Sequence, residues 1–194
     1  MLKSVVMVAT LLFALAMPEA KAVEIKDPEN TLVLELESGK VIIEMLPQVA
    51  PKHVARIKEL ARAGEYDGVA FHRVIEGFMA QTGDVQFGDM DDGFDPRRAG
   101  TGGSDLPDLP AEFSDVPFER GTVGMARTSD PNSANSQFFI MFAPAPHLDG
   151  QYTVWGRVIE GMEFVDRIKR GAPGSGAVSD PDRILRAYVL ADEK

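Results

Sequence analysis

The residues best suited to chemistry lie in one stretch, Phe71 to Asp84, which reads FHRVIEGFMAQTGD. Arg73 stands there among Phe, Val, Ile and Met, with His72 before it and Gln81 eight residues after it. A guanidinium cannot be neutralised in a protein, and apolar side chains are usually kept away from such a charge. A fixed cation on an apolar surface suits an apolar substrate with one polarisable amide. A surface ion pair is the alternative for a single arginine.

A second cluster of apolar and amide side chains follows downstream, in Ser136 to Met141. Successive side chains of a strand face opposite ways, so Gln137, Phe139 and Met141 would share one face. Two strands with aromatic, Met and Gln positions would form the floor of a shallow apolar groove. Plain core packing is the alternative for Phe139 and Met79.

The elements that must position these side chains are short. Alternating and β-branched runs between turn residues predict eight strands, and two runs of helical spacing predict two helices. The strands are predicted at Thr31–Glu37, Lys40–Met45, Phe71–Ile75, Phe78–Gln81, Gly121–Met125, Gln137–Met141, Thr153–Val158 and Ile184–Ala191, and the helices at Pro51–Ala63 and Glu163–Lys169. This pattern predicts a mainly β fold, a closed eight-stranded antiparallel barrel capped by two α-helices. A two-layer α+β domain is the alternative.

The N-terminus has the features of a signal peptide over residues 1–22. Lys3 precedes the apolar run Val5–Met17, and Ala20-Lys21-Ala22 fits a small-x-small cleavage site. The run is shorter than the about 20 residues of a membrane span. An uncleaved anchor is the alternative. We predict a flexible leader at residues 23–30 and one domain at residues 31–194.

Charge and cysteine content restrict the partners and the compartment. The chain of 194 residues carries a formal net charge of −10 and has no cysteine. The predicted signal peptide has a net charge of +1, so its removal leaves −11, which disfavours nucleic acid and anionic lipid as partners. Export, acidity and the absence of disulfides fit a bacterial periplasm. We predict a monomer with no membrane association after signal removal.

Four motifs in order resemble the cyclophilin-type peptidyl-prolyl isomerases. They are FHRVIEGFMAQTGD, GTGG at Gly100–Gly103, GMA at Gly124–Ala126 and SQFFI at Ser136–Ile140. The later LDG at Leu148–Gly150 and the Val154-Trp155-Gly156 strand also fit, so the likeness runs from about Leu32 to about Val189. The family implies an eight-stranded barrel with two helices, a filled interior and an active groove on the outside.

The resemblance also implies roles for individual residues. Arg73 aligns with the catalytic arginine, and His72 shapes the groove beside it. Gln81 and Gln137 align with amides that hold the substrate backbone, and Ala126 with the backbone at Arg127 aligns with the edge that contacts the residue before proline. The pocket for the proline ring aligns with Phe78, Met79, Phe139 and Leu148.

Several positions depart from the family pattern. Glu76 replaces a proline at a turn, and Thr82 replaces a glycine. His147 and Tyr152, which we also expect to contact substrate, replace a tryptophan and a histidine of eukaryotic members. Arg127-Thr128 replaces a small pair of those members. The changes at His147 and Tyr152 resemble bacterial members, and the missing indole donor disfavours tight binding of cyclosporin.

The implied reaction rotates an X–Pro bond in a polypeptide and makes or breaks no covalent bond. It therefore needs no nucleophile, metal or cofactor, and we predict none. The amide barrier of about 18–20 kcal/mol would be lowered by a pocket that grips the proline ring and by a donor near the prolyl nitrogen. A module that binds proline segments without catalysis is the alternative function.

Two other chemistries can be built from the residues present. His72, Asp84 and Ser136 are the residue types of a serine hydrolase triad, but Ser136 lies in no G-x-S-x-G pattern. Asp89 to Gly93 resembles a calcium loop, but its glycine comes one place early and no Glu follows at the twelfth position. We predict a solvated acidic loop at Val85–Ala99. The resemblance implies that this loop borders the groove, a position from which it could bias substrate choice.

Overall fold

The computed structural model describes residues 24–193, so the predicted signal peptide lies outside the described residues. Within the predicted leader, Pro28–Asn30 forms a 3-10 turn that Asp27 caps. Glu29 of this turn forms ion pairs with Lys58 and Arg62 of the first helix. The end of the leader therefore packs on the domain. No helix in the described part of the chain is long and apolar enough to cross a membrane.

Eight strands form one antiparallel sheet, in the order β3-β4-β6-β5-β7-β2-β1-β8. Short β-branched and aromatic runs between glycine turns explain why the strands are brief. Their bounds are β1 Thr31–Leu36, β2 Gly39–Met45, β3 Arg73–Ile75, β4 Met79–Thr82, β5 Thr122–Met125, β6 Phe138–Met141, β7 Val154–Glu160 and β8 Arg186–Val189. All eight predicted strands are present, with ends shifted by one or two residues for most of them.

The sheet curls, but the barrel is not closed by a continuous ladder. The segments just before β3 and β8 meet instead, where Gly68 N–H donates to Ile184 O at 2.8 Å and Phe71 N–H donates to Asp182 O at 2.8 Å. β3 is only three residues long, and its free edge forms a single bridge with Ala177. The predicted full closure is therefore overstated, because β3 is too short to pair along β8.

The first helix, α1, spans Pro51–Ala63 as predicted. Proline suits its first turn, and Gly64 ends it with a left-handed φ of 76°. The second helix, α2, spans only Met162–Val165, so its predicted extent was wrong. Beyond it the chain tightens into i→i−3 hydrogen bonds, and Lys169 N–H donates to Asp182 Oδ2 at 2.7 Å, which turns the chain away from the helix axis.

β8 is also shorter than predicted. The strand pairs only with β1, where Val189 lies opposite Leu32 near the beginning of that strand. Because β1 begins only one residue before Leu32, at Thr31, β8 has almost no strand left to pair with, and Leu190–Asp192 form a 3-10 turn. The length of β8 is therefore limited by the strand with which it pairs more than by its own residues.

The two faces of the sheet bury different apolar clusters. Inside the barrel, the Phe138 ring meets Trp155 edge-on at 5.4 Å and Tyr66 at 5.5 Å. Phe139 and Met141, one position out of phase, belong to a second cluster on the outer face. Since large side chains fill the interior, a ligand site has to lie on this outer face.

Candidate active site

One row of residues crosses four neighbouring strands of the outer face. Arg73 lies opposite Gln81, Gln81 lies opposite Phe139, and Phe139 lies opposite Gly124. Directly opposed residues of antiparallel strands point to the same face. The row therefore places a cation, an amide, an aromatic ring and a residue without a side chain next to one another.

Gly124 provides the space for the aromatic part of this row. A Cβ atom built on Gly124 would lie 2.6 Å from the Phe118 ring and 2.6 Å from the Phe139 ring. The two rings stack over the glycine with their centroids 5.7 Å apart and their planes at 22°. The missing side chain thus lets the edges of both rings approach the backbone of β5 closely.

A cavity of about 180 Å³ opens beside the Phe139 ring, and we call it the apolar cavity because six of its nine lining residues are apolar or aromatic. This volume is below the about 300–1,000 Å³ of pockets for drug-sized ligands and suits one small ring. Its lining brings together nine of the twelve predicted site residues: Arg73, Phe78, Met79, Gln81, Ala126, Arg127, Phe139, Leu148 and Tyr152.

Aromatic contacts hold the walls of the apolar cavity. Tyr152 meets Phe139 edge-on, with centroids 5.9 Å apart and planes at 83°. His147, which is exposed, stacks behind Phe78 with centroids 5.8 Å apart. His147 is not part of the cavity lining and supports Phe78 from the solvent side.

Two hydrogen bonds orient the Arg73 guanidinium at the cavity. Its Nη1 donates to Gln81 Oε1 at 3.2 Å, and its Nε donates to the Ser175 carbonyl at 3.2 Å. Arg73 forms no salt bridge with residues 24–193, so the ion-pair alternative does not apply there. Its Nη2 makes no hydrogen bond within the same range and remains available for a ligand acceptor.

The hydrogen bonds continue from Arg73 along the groove. Gln81 Nε2 donates to Gln137 Oε1 at 3.0 Å, and Gln137 Nε2 donates to the Gly102 carbonyl at 2.8 Å. A guanidinium only donates and a carbonyl only accepts, so the two ends decide which way both amides point. We call this chain, from Arg73 through Gln81 and Gln137 to Gly102, the amide relay.

A polar cavity of about 510 Å³ lies next to the apolar one and shares Gln81, Ala126 and Arg127 with it. Gln137, which was also predicted to contact substrate, lines the polar cavity. Asn135 fixes its wall, because its Oδ1 accepts from both the N–H and the hydroxyl of Ser104, at 2.8 and 2.7 Å. Because they share Gln81, Ala126 and Arg127, we treat the two cavities as one groove.

Arg127 stands where the two cavities join. Its guanidinium carbon lies 4.3 Å from the centre of the Tyr152 ring, a cation–π contact. Nη1 donates to the Thr128 carbonyl and Nη2 to the Gln151 carbonyl, each at 2.8 Å. No carboxylate of residues 24–193 forms a salt bridge with Arg127. The groove therefore holds the charges of Arg73 and Arg127, while Asp108 lines the polar cavity but not the apolar one.

His72 lies behind the groove and lines neither cavity. The side chain is buried against Gly100, and neither ring nitrogen has a hydrogen-bond partner among residues 24–193. Desolvation lowers the pKa of His72 below its usual value, so the ring is neutral at pH 7. Its placement suits support of the loop at Gly100 better than contact with a peptide.

The hydrolase triad considered from the sequence does not form. Asp84 accepts only backbone N–H groups, and the Ser136 hydroxyl donates to the Gly83 carbonyl at 2.7 Å. The acidic loop, Val85–Ala99, contributes no residue to either cavity. Within residues 24–193 no cluster of three or more His, Asp or Glu could hold a metal ion.

Two backbone carbonyls that belong to this site were not predicted from the sequence. They belong to Gly102, which ends the amide relay, and to Ser175, which holds the Arg73 Nε. A backbone carbonyl is present at every position, so side-chain type does not reveal it. For the Gly102 carbonyl, the only signal in the sequence was the GTGG motif, whose glycines allow the backbone to approach closely.

Comparison with known proteins identifies the family. Residues 31–189 match the family described as cyclophilin type peptidyl-prolyl cis-trans isomerase/CLD. The chain is 61% identical over 182 residues to a probable peptidyl-prolyl cis-trans isomerase of Brucella suis, covering 93% of each chain. It is 36% identical to a peptidyl-prolyl cis-trans isomerase of Synechococcus elongatus, over 82% of this chain and 96% of the relative.

Solved structures agree with the sequence comparison. A cyclophilin from Hirschia baltica superposes with a TM-score of 0.73 at 29% identity, covering 87% of this chain and 76% of that one. A cyclophilin type isomerase from Cryptosporidium parvum, solved in the presence of the dipeptide Ala-Pro, superposes with a TM-score of 0.67 at 25% identity, covering 82% and 98%. The chain thus belongs to the cyclophilin-type peptidyl-prolyl cis-trans isomerases, with the fold and the enzymatic class of that family.

Proposed function

We propose that this isomerase accelerates rotation about X–Pro bonds in exported polypeptides, assists their folding, and uses Arg73 as its catalytic residue. The observation that carries the proposal is the Arg73 guanidinium at the edge of a ring-sized apolar cavity, with no salt bridge among residues 24–193. The cavity holds the proline ring, and the carbonyl side of the X–Pro bond rotates. The relative from Cryptosporidium parvum solved with Ala-Pro supports a prolyl ligand.

The chemistry follows from the resonance of the X–Pro bond. The barrier of about 18–20 kcal/mol reflects delocalisation of the prolyl nitrogen lone pair into the carbonyl. A donor aimed at that nitrogen localises the lone pair and stabilises the twisted state more than either planar isomer. Arg73 is suited to this because Gln81 and Ser175 hold two of its N–H groups while Nη2 remains unengaged.

The decisive experiment is a proline-peptide isomerisation assay on residues 23–194 with wild type and Arg73→Ala side by side. We expect the variant to lose about 100-fold or more in kcat/KM, the scale for loss of one transition-state donor. Arg157→Ala is a matched control, because Arg157 is an exposed arginine paired with Glu44 and lines neither of the two groove cavities. An unchanged rate in Arg73→Ala would remove Arg73 from the mechanism.

A module that binds proline segments without useful catalysis is the second candidate, since the groove alone is sufficient for binding. The same two proteins separate the candidates. Equal peptide affinity in wild type and Arg73→Ala, with no isomerisation by either, would favour the binding module. Catalysis by the wild type that depends on Arg73 favours the enzyme.

The exported setting rests on the signal-like N-terminus, with Lys3, the apolar run Val5–Met17 and the Ala20-Lys21-Ala22 site. We propose a periplasmic monomer that acts on proline-containing polypeptides and binds neither nucleic acid nor membrane after processing. Fractionation of cells that express the full chain, with N-terminal sequencing, should find a periplasmic protein beginning at Val23. A membrane-bound, unprocessed chain would contradict this, and sedimentation would test the monomer.

A further inference from the structure

Asp84 is a fully buried carboxylate that follows β4 and has no cationic partner among the described residues. Its Oδ1 accepts from the N–H groups of Gln86 and Phe87 at 3.2 and 3.0 Å. Its Oδ2 accepts from the N–H groups of Gly100 and Gly102 at 2.7 and 3.0 Å. All four acceptor sites of the carboxylate are used. One side chain therefore ties together the beginning of the acidic loop and the chain that follows it.

This clamp leaves Gly102 little freedom. A Cβ atom on Gly102 would lie 2.4 Å from Asp84 Oδ1 and 2.8 Å from the Phe87 ring. The backbone at Gly102 thus packs directly on the carboxylate. With its N–H held by Asp84, Gly102 presents its carbonyl to Gln137 Nε2 at 2.8 Å.

The carbonyl of Gly102 is the acceptor end of the amide relay. If that carbonyl moves, Gln137 loses the acceptor that directs its NH₂ group, and its amide can turn. Gln81 Nε2 then loses its acceptor, and the hydrogen bond from Arg73 is left as the one contact of the relay that orients the Gln81 amide. The position of the guanidinium thus depends on a carboxylate that touches neither cavity.

We infer that Asp84 is a positioning residue for Arg73, acting through Gly102 and the amide relay. The inference rests on the proposed catalytic role of Arg73. The Asp84 side chain lines neither cavity, and its function is to hold an acceptor in place. A buried charge satisfied only by backbone N–H groups suits this task, because its hydrogen bonds are strong and have fixed directions.

The test is a double-mutant cycle with Asp84→Asn and Gln137→Ala. The Asn amide keeps the shape but replaces one acceptor oxygen by a donor, so two of the four N–H groups lose their partner. We expect Asp84→Asn to lower kcat about tenfold or more and to change KM by less than about twofold. In the Gln137→Ala background the relay is already broken, so Asp84→Asn should lower kcat no further. Effects that multiply would overturn the inference.

Ser136→Ala is the matched control, because it removes another buried hydrogen bond, from Ser136 to Gly83, outside the relay. It should lower the unfolding midpoint and leave kcat unchanged. A fall in kcat that follows stability in both variants would reduce Asp84 to a structural role and contradict the inference.

A spectroscopic measurement remains valid if Asp84→Asn does not fold. In ¹⁵N-labelled protein, Arg73→Ala removes the donor end of the relay, and the side-chain amide resonances of Gln81 and Gln137 and the backbone amide of Gly102 should all shift. If the Gly102 resonance did not shift, Arg73 would not be coupled to the residue that Asp84 holds, and the inference would be contradicted. This readout does not depend on the rate, so failure of the relay and failure of the catalytic role of Arg73 are distinguishable.

Discussion

Gln81 lies directly opposite Arg73 in the β3–β4 pair, and its Oε1 accepts a hydrogen bond from the guanidinium Nη1 at 3.2 Å. Ser175, more than ninety residues away in the chain, holds the Nε of the same guanidinium at 3.2 Å. Two acceptors on different elements thus set both the place and the tilt of the guanidinium plane.

This double attachment predicts the behaviour of Arg73→Lys. Lysine keeps the charge but has one point-like head, which cannot donate to Gln81 and Ser175 and also face a ligand. We expect kcat/KM to fall about 10- to 100-fold, in line with about 1.5–3 kcal/mol for a charged hydrogen bond. Arg157→Lys, the same change at an exposed ion pair, should leave kcat/KM unchanged. Full activity of Arg73→Lys would show that charge alone is sufficient.

Gly124→Ala should disturb the apolar cavity although it replaces none of the side chains that line the groove. The new methyl group would lie 2.6 Å from the Phe118 and Phe139 rings, so Phe139 must move. We expect a loss of about 1–3 kcal/mol in unfolding free energy from overpacking and about a tenfold fall in kcat/KM.

A strand glycine outside the groove provides the control for this substitution. A methyl on Gly156 would lie 2.9 Å from Ile43, so Gly156→Ala is overpacked as well. Gly156→Ala should therefore lose stability and keep kcat/KM. If both variants lose activity in proportion to stability, the Gly124 contact has no special part in the cavity.

Arg127 should make the groove prefer acidic residues before proline. Its charge has no carboxylate partner in the described chain and faces the junction of the two cavities. We expect peptides with Glu before proline to have a kcat/KM about threefold above those with Lys, and the ratio to fall as salt rises. Arg127→Gln should bring the ratio close to one. A ratio that persists in Arg127→Gln would assign the preference elsewhere.

Two buried histidines should make the fold sensitive to mild acid. Desolvation lowers the pKa of His53 and of His72 below the usual value of 6.5. Below pH 6.5 the unfolded chain binds protons at these positions that the folded chain does not, so acidification favours unfolding. The free energy of unfolding should therefore fall as the pH is lowered from 7 to 5.

Substitution at His72 checks the origin of that slope. His72→Gln removes one titrating group and should flatten the dependence of the unfolding free energy on pH, measured by urea denaturation. His147→Gln is the control, because His147 is exposed in the folded protein and loses little hydration on folding. An unchanged slope in His72→Gln would mean that other groups carry the acid sensitivity.

The acidic loop should have little influence on short peptides. Although it was expected to border the groove, none of its residues lines either cavity, and Asp91 is paired with Arg183. Neutralising Asp91, Asp92 and Asp95 to Asn should leave the relative kcat/KM of acidic, neutral and basic peptides unchanged at about 0.15 M salt. A shift in that order would show that the loop charges reach the groove.

The sequence alone was enough to predict the presence of all eight strands and both helices, the bounds of α1 and the face that β6 presents. The bounds of α1 matched because proline and glycine punctuate an amphipathic run, which is a local effect. Period-two alternation placed Gln137, Phe139 and Met141 on one face, and Gln81, Phe139 and the apolar pocket residues now lie together. Motif likeness indicated the family, which the comparisons confirm. It also indicated Arg73 as the catalytic residue, and that role stays a prediction.

Only the tertiary structure decided the relationships between distant segments. The shortness of α2 and β8, the incomplete seam of the barrel, the burial of His72 and the carbonyls of Gly102 and Ser175 all depend on partners far along the chain. Backbone acceptors look the same at every residue, and register between strands is settled by packing of the whole sheet. Residue types thus indicate which groups can act, while long-range hydrogen bonds and packing decide where each of them is held.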